Sequence, residues 1–158
     1  MTKKASYFVC LAAAFGAAGM AVAATSKIDN PFNQHADPEG VVLAISTPFF
    51  NDQGDVRLSV YDDEKTFLEE AAAKYQATLN EDGVAIVNLG AIAPGDYAFV
   101  AYYDENGDGK LNRGKVFSRP KEPFAFSNGV KPKLRRPTFE ETKVDVELGS
   151  VVVITLDD

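Results

Sequence analysis

Residues Asp96–Tyr103 carry apolar side chains on both sides of a period-two alternation, with Tyr97, Phe99, Ala101 and Tyr103 on one side and Ala98, Val100 and Tyr102 on the other. Successive side chains of a strand point to opposite faces, so this segment has to be covered on both and belongs in the interior of a sheet. That requirement already excludes a helical bundle and asks for a layered β architecture.

The rest of the chain keeps the same rhythm. Val41 to Ser46 is a continuous apolar run bounded by Gly40 and Pro48, the pattern of a buried strand. Val56, Leu58 and Val60 alternate with Arg57, Ser59 and Tyr61, the pattern of a strand with one face on the core. Tyr75–Leu79 and Val84–Leu89 read as further strands, separated by Asn80-Glu81-Asp82-Gly83 and followed by Ala93-Pro94-Gly95. At the C-terminus Thr142–Leu148 and Ser150–Leu156 are expected to pair as a hairpin across Gly149. Thr66-Phe67-Leu68-Glu69 has the form of a capping box, and Glu70 and Lys74 are four apart, so a helical turn is expected over 67–73. About seven short strands with turn chemistry every eight to twelve residues predict an all-β, antiparallel β-sandwich.

The ends divide the chain further. Lys3 and Lys4, an apolar stretch from Tyr7 to Met20 and the small residues Ala21-Val22-Ala23-Ala24 read as a secretory signal over 1–24. The apolar stretch is short and Ala-rich for a membrane span, and Cys10, the chain's one cysteine, lies within it. Polar residues 25–38, with Asn30-Pro31 and Asp37-Pro38, are expected as a flexible leader, and 39–158 as a single domain. From Thr25 onward 14 basic residues stand against 23 acidic ones, a formal charge of −9. An acidic, exported, cysteine-free domain in the periplasm or medium is the expectation, without nucleic acid as partner and without a transmembrane segment.

The chemistry concentrates in Asp104-Glu105-Asn106-Gly107-Asp108-Gly109-Lys110-Leu111-Asn112. Calcium takes six to eight oxygens, and side-chain oxygens at alternate positions supply them if the chain turns sharply between. Asp104, Asn106 and Asp108 fall at loop positions one, three and five, Gly109 at six, the Lys110 carbonyl at seven and Asn112 at nine. Lys115 stands at position twelve, where a helix-flanked loop has a bidentate Glu. A distal ligand has to come from elsewhere, and Glu122 is the one acidic residue between Asp108 and Glu140. The expected ligand set is therefore Asp104, Asn106, Asp108, Lys110, Asn112 and Glu122. The other reading is a turn closed by its own side-chain to backbone hydrogen bonds.

Residues 104–141 form a connection of unusual length with four prolines, yet Phe117, Phe124, Phe126 and Phe139 are spaced through it as anchors. Nine of the 14 basic residues lie in 110–136 with Glu122 as the sole acid, giving that window +8. It is either a face for an anionic partner or a solvated loop whose cations lean on the acidic domain.

The run from Tyr97-Ala98 through Asp104 to Leu111, then Pro120-Lys121-Glu122, Phe126-Ser127-Asn128 and Pro137-Thr138-Phe139-Glu140, resembles a bacterial exported family of unknown function, DUF2141. The resemblance covers roughly 41–157. Asn112 stands where that family usually has Asp, Ser118-Arg119 where Gly and an aliphatic residue are usual, and Ala125 where Gly is usual. The resemblance implies a prealbumin-like or carboxypeptidase-regulatory-like β-sandwich and no activity.

Function classes follow from the inventory. His35 is the only histidine and falls in the leader, which leaves Ser-His-Asp, Cys-His and His-rich zinc chemistry without their base or ligands. An intramolecular Lys–Asn isopeptide lacks a lysine on the first strand. The expectation is a non-catalytic envelope binding or structural module of unknown, anionic or glycan, partner, with calcium pinning Asp104 and Asp108 and lining up Glu122 and Ser127-Asn128 beneath the loop. A carbohydrate-binding domain using Tyr102, Tyr103, Phe124 and Phe126 is the alternative, and a carboxylate-dependent glycosidase is compatible with the acidic content.

Overall fold

A computed structural model describes residues 30–51, 53–114, 120–132 and 135–157. The expected signal segment, Cys10, residues 25–29 and Phe117 lie outside them. Among the described residues the fold is mostly β: β1 (Val41–Ser46), β2 (Asp55–Tyr61), β3 (Ala73–Ala77), β4 (Val84–Gly90), β5 (Gly95–Asp104), β6 (Phe124–Phe126), β7 (Lys143–Val146) and β8 (Val151–Thr155), with a single-turn helix α1 (Phe139–Thr142). The strand beyond the seven expected is β6, a three-residue piece inside the long connection.

The strands form two sheets. One has the order β4-β1-β8, the other β3-β2-β5-β6, with β7 also on β5. β1 is the middle strand of its sheet, antiparallel to β4 and parallel to β8, which is why its near-continuous apolar run is buried on both faces. β5 is the interior strand of the other sheet, with β2 along one edge and β7 then β6 along the other.

One buried cluster takes side chains from both sheets: Val41, Leu43 and Ile45 of β1, Val87 of β4 and Ile154 of β8 meet Val56, Leu58, Phe99, Ala101, Tyr103 and Val146 from the other side. Each fully buried large apolar side chain here contributes about 1.5–3 kcal/mol of transfer free energy. The opposite face of β5 is covered too, since Ala98 packs with Tyr61 and Phe139, and Phe67 stands edge-on to both rings. The covering stops short of Tyr102, which leaves the far end of that face open to the loop that follows.

Two expectations are corrected. No helix forms over 67–73. Thr66 Oγ1 donates to the Asp63 carbonyl at 3.3 Å rather than capping Glu69, Leu68 sits at φ 63°, and β3 begins already at Ala73. The capping box is instead Thr138 with Glu141, on α1, at the end of the stretch read from the sequence as a long connection. Nor do the last two strands form a hairpin: β7 joins β5 in one sheet and β8 joins β1 in the other. Gly149 does make a turn, with Ser150 N–H on the Glu147 carbonyl at 3.0 Å and φ at 82°. Its own N–H, however, donates to the Gly40 carbonyl at 2.8 Å, and the Ser150 carbonyl accepts from Val42 N–H at 3.0 Å. Those two bonds carry the chain across to β1 and away from β7.

The described part of the leader makes one 3-10 turn, Asn33–His35, and Asp37 is tied to β4 by a 2.9 Å bond from the Asn88 amide.

Candidate functional site

Strand alternation decides where the loop after β5 begins. Tyr103 points into the core and fixes the strand end, its hydroxyl accepting from Asn51 N–H at 2.9 Å and donating to the Asn51 carbonyl at 2.7 Å. Asp104 therefore emerges on the opposite face, but it is fully buried there. Its Oδ1 accepts from Asp108 N–H at 3.1 Å and its Oδ2 from Gly109 N–H at 2.7 Å, so position one of the loop is bonded to the backbone at positions five and six. Gly109 has φ 76°, the left-handed conformation that this tight return requires and that glycine adopts without strain.

Shorter bonds continue the curl. Asn106 Oδ1 accepts from Asp108 N–H at 3.1 Å, and Asp108 Oδ1 from Lys110 N–H at 2.9 Å. Hydrogen bonds from the Asn112 amide first, and then from Lys110 N–H and the Asn106 amide, hold the Asp108 carboxyl below the usual carboxylate range.

Glu122 closes the loop from outside it. It is 4% exposed, and its Oε1 accepts from Glu105 N–H at 3.2 Å while Oε2 accepts from Asn112 N–H at 2.8 Å. One carboxylate thus ties the first turn of the loop to its exit, and Lys121 N–H adds a 2.8 Å bond to the Asn112 carbonyl. Of the six residues expected as ligands, Asp108, Lys110, Asn112 and Glu122 meet around one amide and Asn106 also reaches Asp108, whereas Asp104 is bonded to the backbone of Asp108 and Gly109. That amide is Asn112's, whose Nδ2 lies 3.1 Å from Asp108 Oδ2, 3.4 Å from the Lys110 carbonyl and 3.4 Å from Glu122 Oε1.

The oxygens are of the hard kind that calcium takes. Two features bear on the fit. The Asn112 and Asn106 amides turn their nitrogens, not their oxygens, toward Asp108 Oδ2, so each needs a half-turn to serve as a ligand. Among the described residues, moreover, no three His, Cys, Asp or Glu side chains are grouped as a metal centre. As it stands the loop is closed by hydrogen bonds, its own and those to Glu122 and Lys121.

Ser127-Asn128 is not beneath this loop. Ser127 accepts from Phe99 N–H at 2.9 Å and donates to the Thr142 carbonyl, and Asn128 donates to the Glu141 carbonyl at 3.1 Å, all toward the middle of β5 and α1. Phe126 and Phe139 are buried anchors of the connection, and Phe124 lies half-buried, edge-on to Phe126. In the basic window Lys131 pairs with Asp157 and Arg135 with Glu141, so those cations do lean on the domain's own acids. His35 is exposed, with the Gln34 amide at 3.4 Å as its neighbour.

Over residues 47–154, more than half of the chain, the sequence matches the family model described as an uncharacterized protein conserved in bacteria, DUF2141. The chain belongs to the DUF2141 family. Comparisons with curated proteins and with solved structures give no match. The DUF2141 region takes in the whole loop and its closing Glu122, and starts just after β1.

A residue with no sequence signal completes this DUF2141 site. Arg57 of β2 pairs in register with Tyr102 and Gln76, and its Nε lies 3.3 Å from Asp104 Oδ2. The buried carboxylate at position one therefore has a cation against it. In sequence Arg57 is an ordinary solvent-face residue of an alternating strand; its role follows from the register of β2 on β5.

Proposed function

We propose that this DUF2141 chain is a non-catalytic binding or structural module of the bacterial cell envelope, exported, of prealbumin-like or carboxypeptidase-regulatory-like β-sandwich architecture, with the 104–112 loop strengthened by calcium. The observation that carries the reading is the meeting of Asp108, the Lys110 carbonyl and Glu122 around the Asn112 amide, with Asp104 bonded to the backbone of the same loop. Calcium there would be held by those oxygens and would supply charge neutralisation and cross-linking of the loop, not chemistry on a substrate.

The use made of the buried acids supports a module rather than a hydrolase. Asp104 and Glu122 each accept from two backbone N–H groups, a role that fixes chain geometry. A glycosidase instead sets a proton-donating carboxyl opposite a second free one. No helix of the described residues is long and apolar enough to cross a membrane.

Carbohydrate binding is the second reading. Tyr102 favours it, being an aromatic side chain that is partly exposed on the uncovered end of β5, beside the loop. Tyr103 does not contribute, since it is fully buried.

Melting the purified protein in calcium and in chelator tests the metal. Exported modules bind calcium with dissociation constants of about 10⁻⁴–10⁻³ M, so roughly 10 mM calcium is expected to add about 1.4–2.7 kcal/mol. For a domain of this size that is a rise of roughly 5–10 °C, abolished by Asp108→Ala. An unchanged melting temperature overturns the calcium-strengthened loop.

A further inference from the structure

The outer face of β2, β3 and β5 and the returning loop enclose a recess of about 400 Å³. Its floor is Arg57, Ser59 and Tyr102, one wall is Lys74 and Gln76 of β3, and the other is Gly109, Lys110 and Leu111. Strand register explains the assembly. Gln76, Arg57 and Tyr102 are cross-strand neighbours, and so are Lys74 and Ser59, so all five point to the face that the Tyr61–Phe67–Phe139 cluster leaves bare.

The charge of this lining differs from that of the protein. Arg57, Lys74 and Lys110 contribute three cations, and no acidic side chain lines the recess, whereas the whole chain has a formal charge of −7. Neither Lys74 nor Lys110 has an ion pair among the described residues. The Arg57 guanidinium is oriented but not saturated. Nη1 donates to Gln76 Oε1 at 2.8 Å, Nε faces Asp104 Oδ2 at 3.3 Å without hydrogen-bond alignment, and Nη2 reaches Asp55 Oδ2 only at 3.9 Å. Gln76 is fixed in turn by a 2.6 Å bond to Asp55, so the donor fork is held from behind by Asp55 and Asp104. Beside it Tyr102 offers a ring, and Ser59 a hydroxyl.

We propose that this recess binds an acidic sugar: a ring that packs on Tyr102 and carries a carboxylate or phosphate facing Arg57, Lys74 and Lys110. The volume is at the low end of the range for small-ligand cavities, about 300–1,000 Å³, which suits one sugar residue at the end or the middle of a glycan. Arg presents a planar fork of donors that suits either oxyanion, and the lysines add point charges. The inference deepens the binding-module reading above, on which it rests, and names the face and the ligand chemistry. It also couples to the loop. Cations bound at Asp104 and Asp108 would remove negative charge from behind Arg57, so calcium and the acidic sugar are expected to raise each other's affinity by the same factor.

The test is a titration of the protein, in calcium and in chelator, with glucuronate, glucose 6-phosphate, glucose and inorganic phosphate. Binding is read by calorimetry and by NMR shifts at Tyr102, and melting temperature is recorded on the same samples. The expected result is saturable binding of both acidic sugars, weakened at least tenfold by Lys74→Glu and by Lys110→Glu and progressively by added salt. These two exposed lysines leave the fold intact on substitution, which the melts check. Glucose binding as tightly as glucuronate, phosphate binding as tightly as glucose 6-phosphate, or no saturable binding overturns the proposal. A calcium-dependent melt without acidic-sugar binding overturns the recess and leaves the calcium loop standing. Acidic-sugar binding with neither a calcium-dependent melt nor a calcium effect on affinity upholds the recess and overturns both the calcium loop and its coupling to the recess.

Discussion

Replacing Ser127 by alanine is expected to cost this domain a large part of its stability, although the change removes one oxygen atom from a loop residue. The reason lies in β5, which changes partners along one edge. Gly95 to Ala98 pair with β7 and Val100 to Tyr102 pair with β6, so Phe99 falls at the seam between two partners. Its N–H donates to Ser127 Oγ at 2.9 Å, and that hydroxyl donates onward to the Thr142 carbonyl. Phe99 and Thr142 are fully buried and Ser127 is 1% exposed, so water does not take over either bond. An orphaned buried donor costs about 1–3 kcal/mol, and the carbonyl, with a second lone pair, adds less. The sum is about 2–4 kcal/mol, against a total of roughly 5–15 kcal/mol for a typical domain. With a urea slope of about 1–3 kcal/mol/M, Ser127→Ala should lower the unfolding midpoint by roughly 1–2 M at an unchanged slope. Chelator should not alter the loss, because Ser127 does not touch the 104–112 loop. A midpoint within about 0.3 M of the parent protein, an effect no larger than that of an ordinary surface substitution, would falsify the view that this hydroxyl closes the seam.

Three further outcomes follow from the same geometry. Asp104→Asn should lose about 2 kcal/mol in chelator, because an amide can accept from one of the Asp108 and Gly109 N–H groups but meets the other with its own NH₂; urea unfolding equal to wild type under those conditions contradicts the assignment. Gly54→Ala should destabilise by about 1–3 kcal/mol, since a Cβ there stands 2.3 Å from Tyr103 Cζ and the ring is held by Asn51 at its hydroxyl; an unaltered denaturation midpoint would show that the ring gives way. Glu141 is depressed from 4.5 to about 2, first by hydrogen bonds from Arg135 and then by Thr138 N–H. Its folded value lies below its unfolded one, so its contribution is present above about 4.5 and is lost as pH falls toward 2. Carboxyl NMR of Arg135→Ala should find the Glu141 midpoint moved up toward the ordinary value, and a midpoint still near 2 would assign the depression to the cap alone.

What could be read from the sequence is what depends on local periodicity and composition. The run Val41–Ser46 is β1 residue for residue, and the two-faced alternation of 96–103 correctly placed that strand inside a sheet. Glu122 was legible for a different reason: it is the sole acid in a long basic stretch, so a loop in need of a distal carboxylate had one candidate, and the structure brings that residue to both ends of the loop. Pairing was not legible. The parallel contact of β1 with β8 joins segments at opposite ends of the domain, and two bonds near Gly40 override the turn at Gly149 that suggested a hairpin. The capping-box pattern occurs at Thr66 and at Thr138, and local sequence does not separate them. The second forms because Phe139 finds a pocket against Tyr61 and Ala98, while near the first Leu68 adopts a left-handed conformation and packs onto the same cluster.

Arg57 shows how the unreadable part shapes the site. Its alternation partner pattern says only that it faces away from the core, and half the residues of any such strand do. The register of β2 on β5 puts it opposite Tyr102 and two residues from the level of Asp104, so a strand residue becomes the neutralising neighbour of a loop carboxylate. The same register leaves its remaining donors facing a recess bounded by Lys74 and Lys110. One guanidinium thus belongs to the loop on one side and to the open face on the other. A change of charge in the loop is therefore felt in the recess without movement of the strands, over a distance short enough that screening by salt at physiological strength, with its length of about 8 Å, does not remove it. On the proposed reading of the recess, the DUF2141 loop would influence binding even though none of its carboxylates lines the recess.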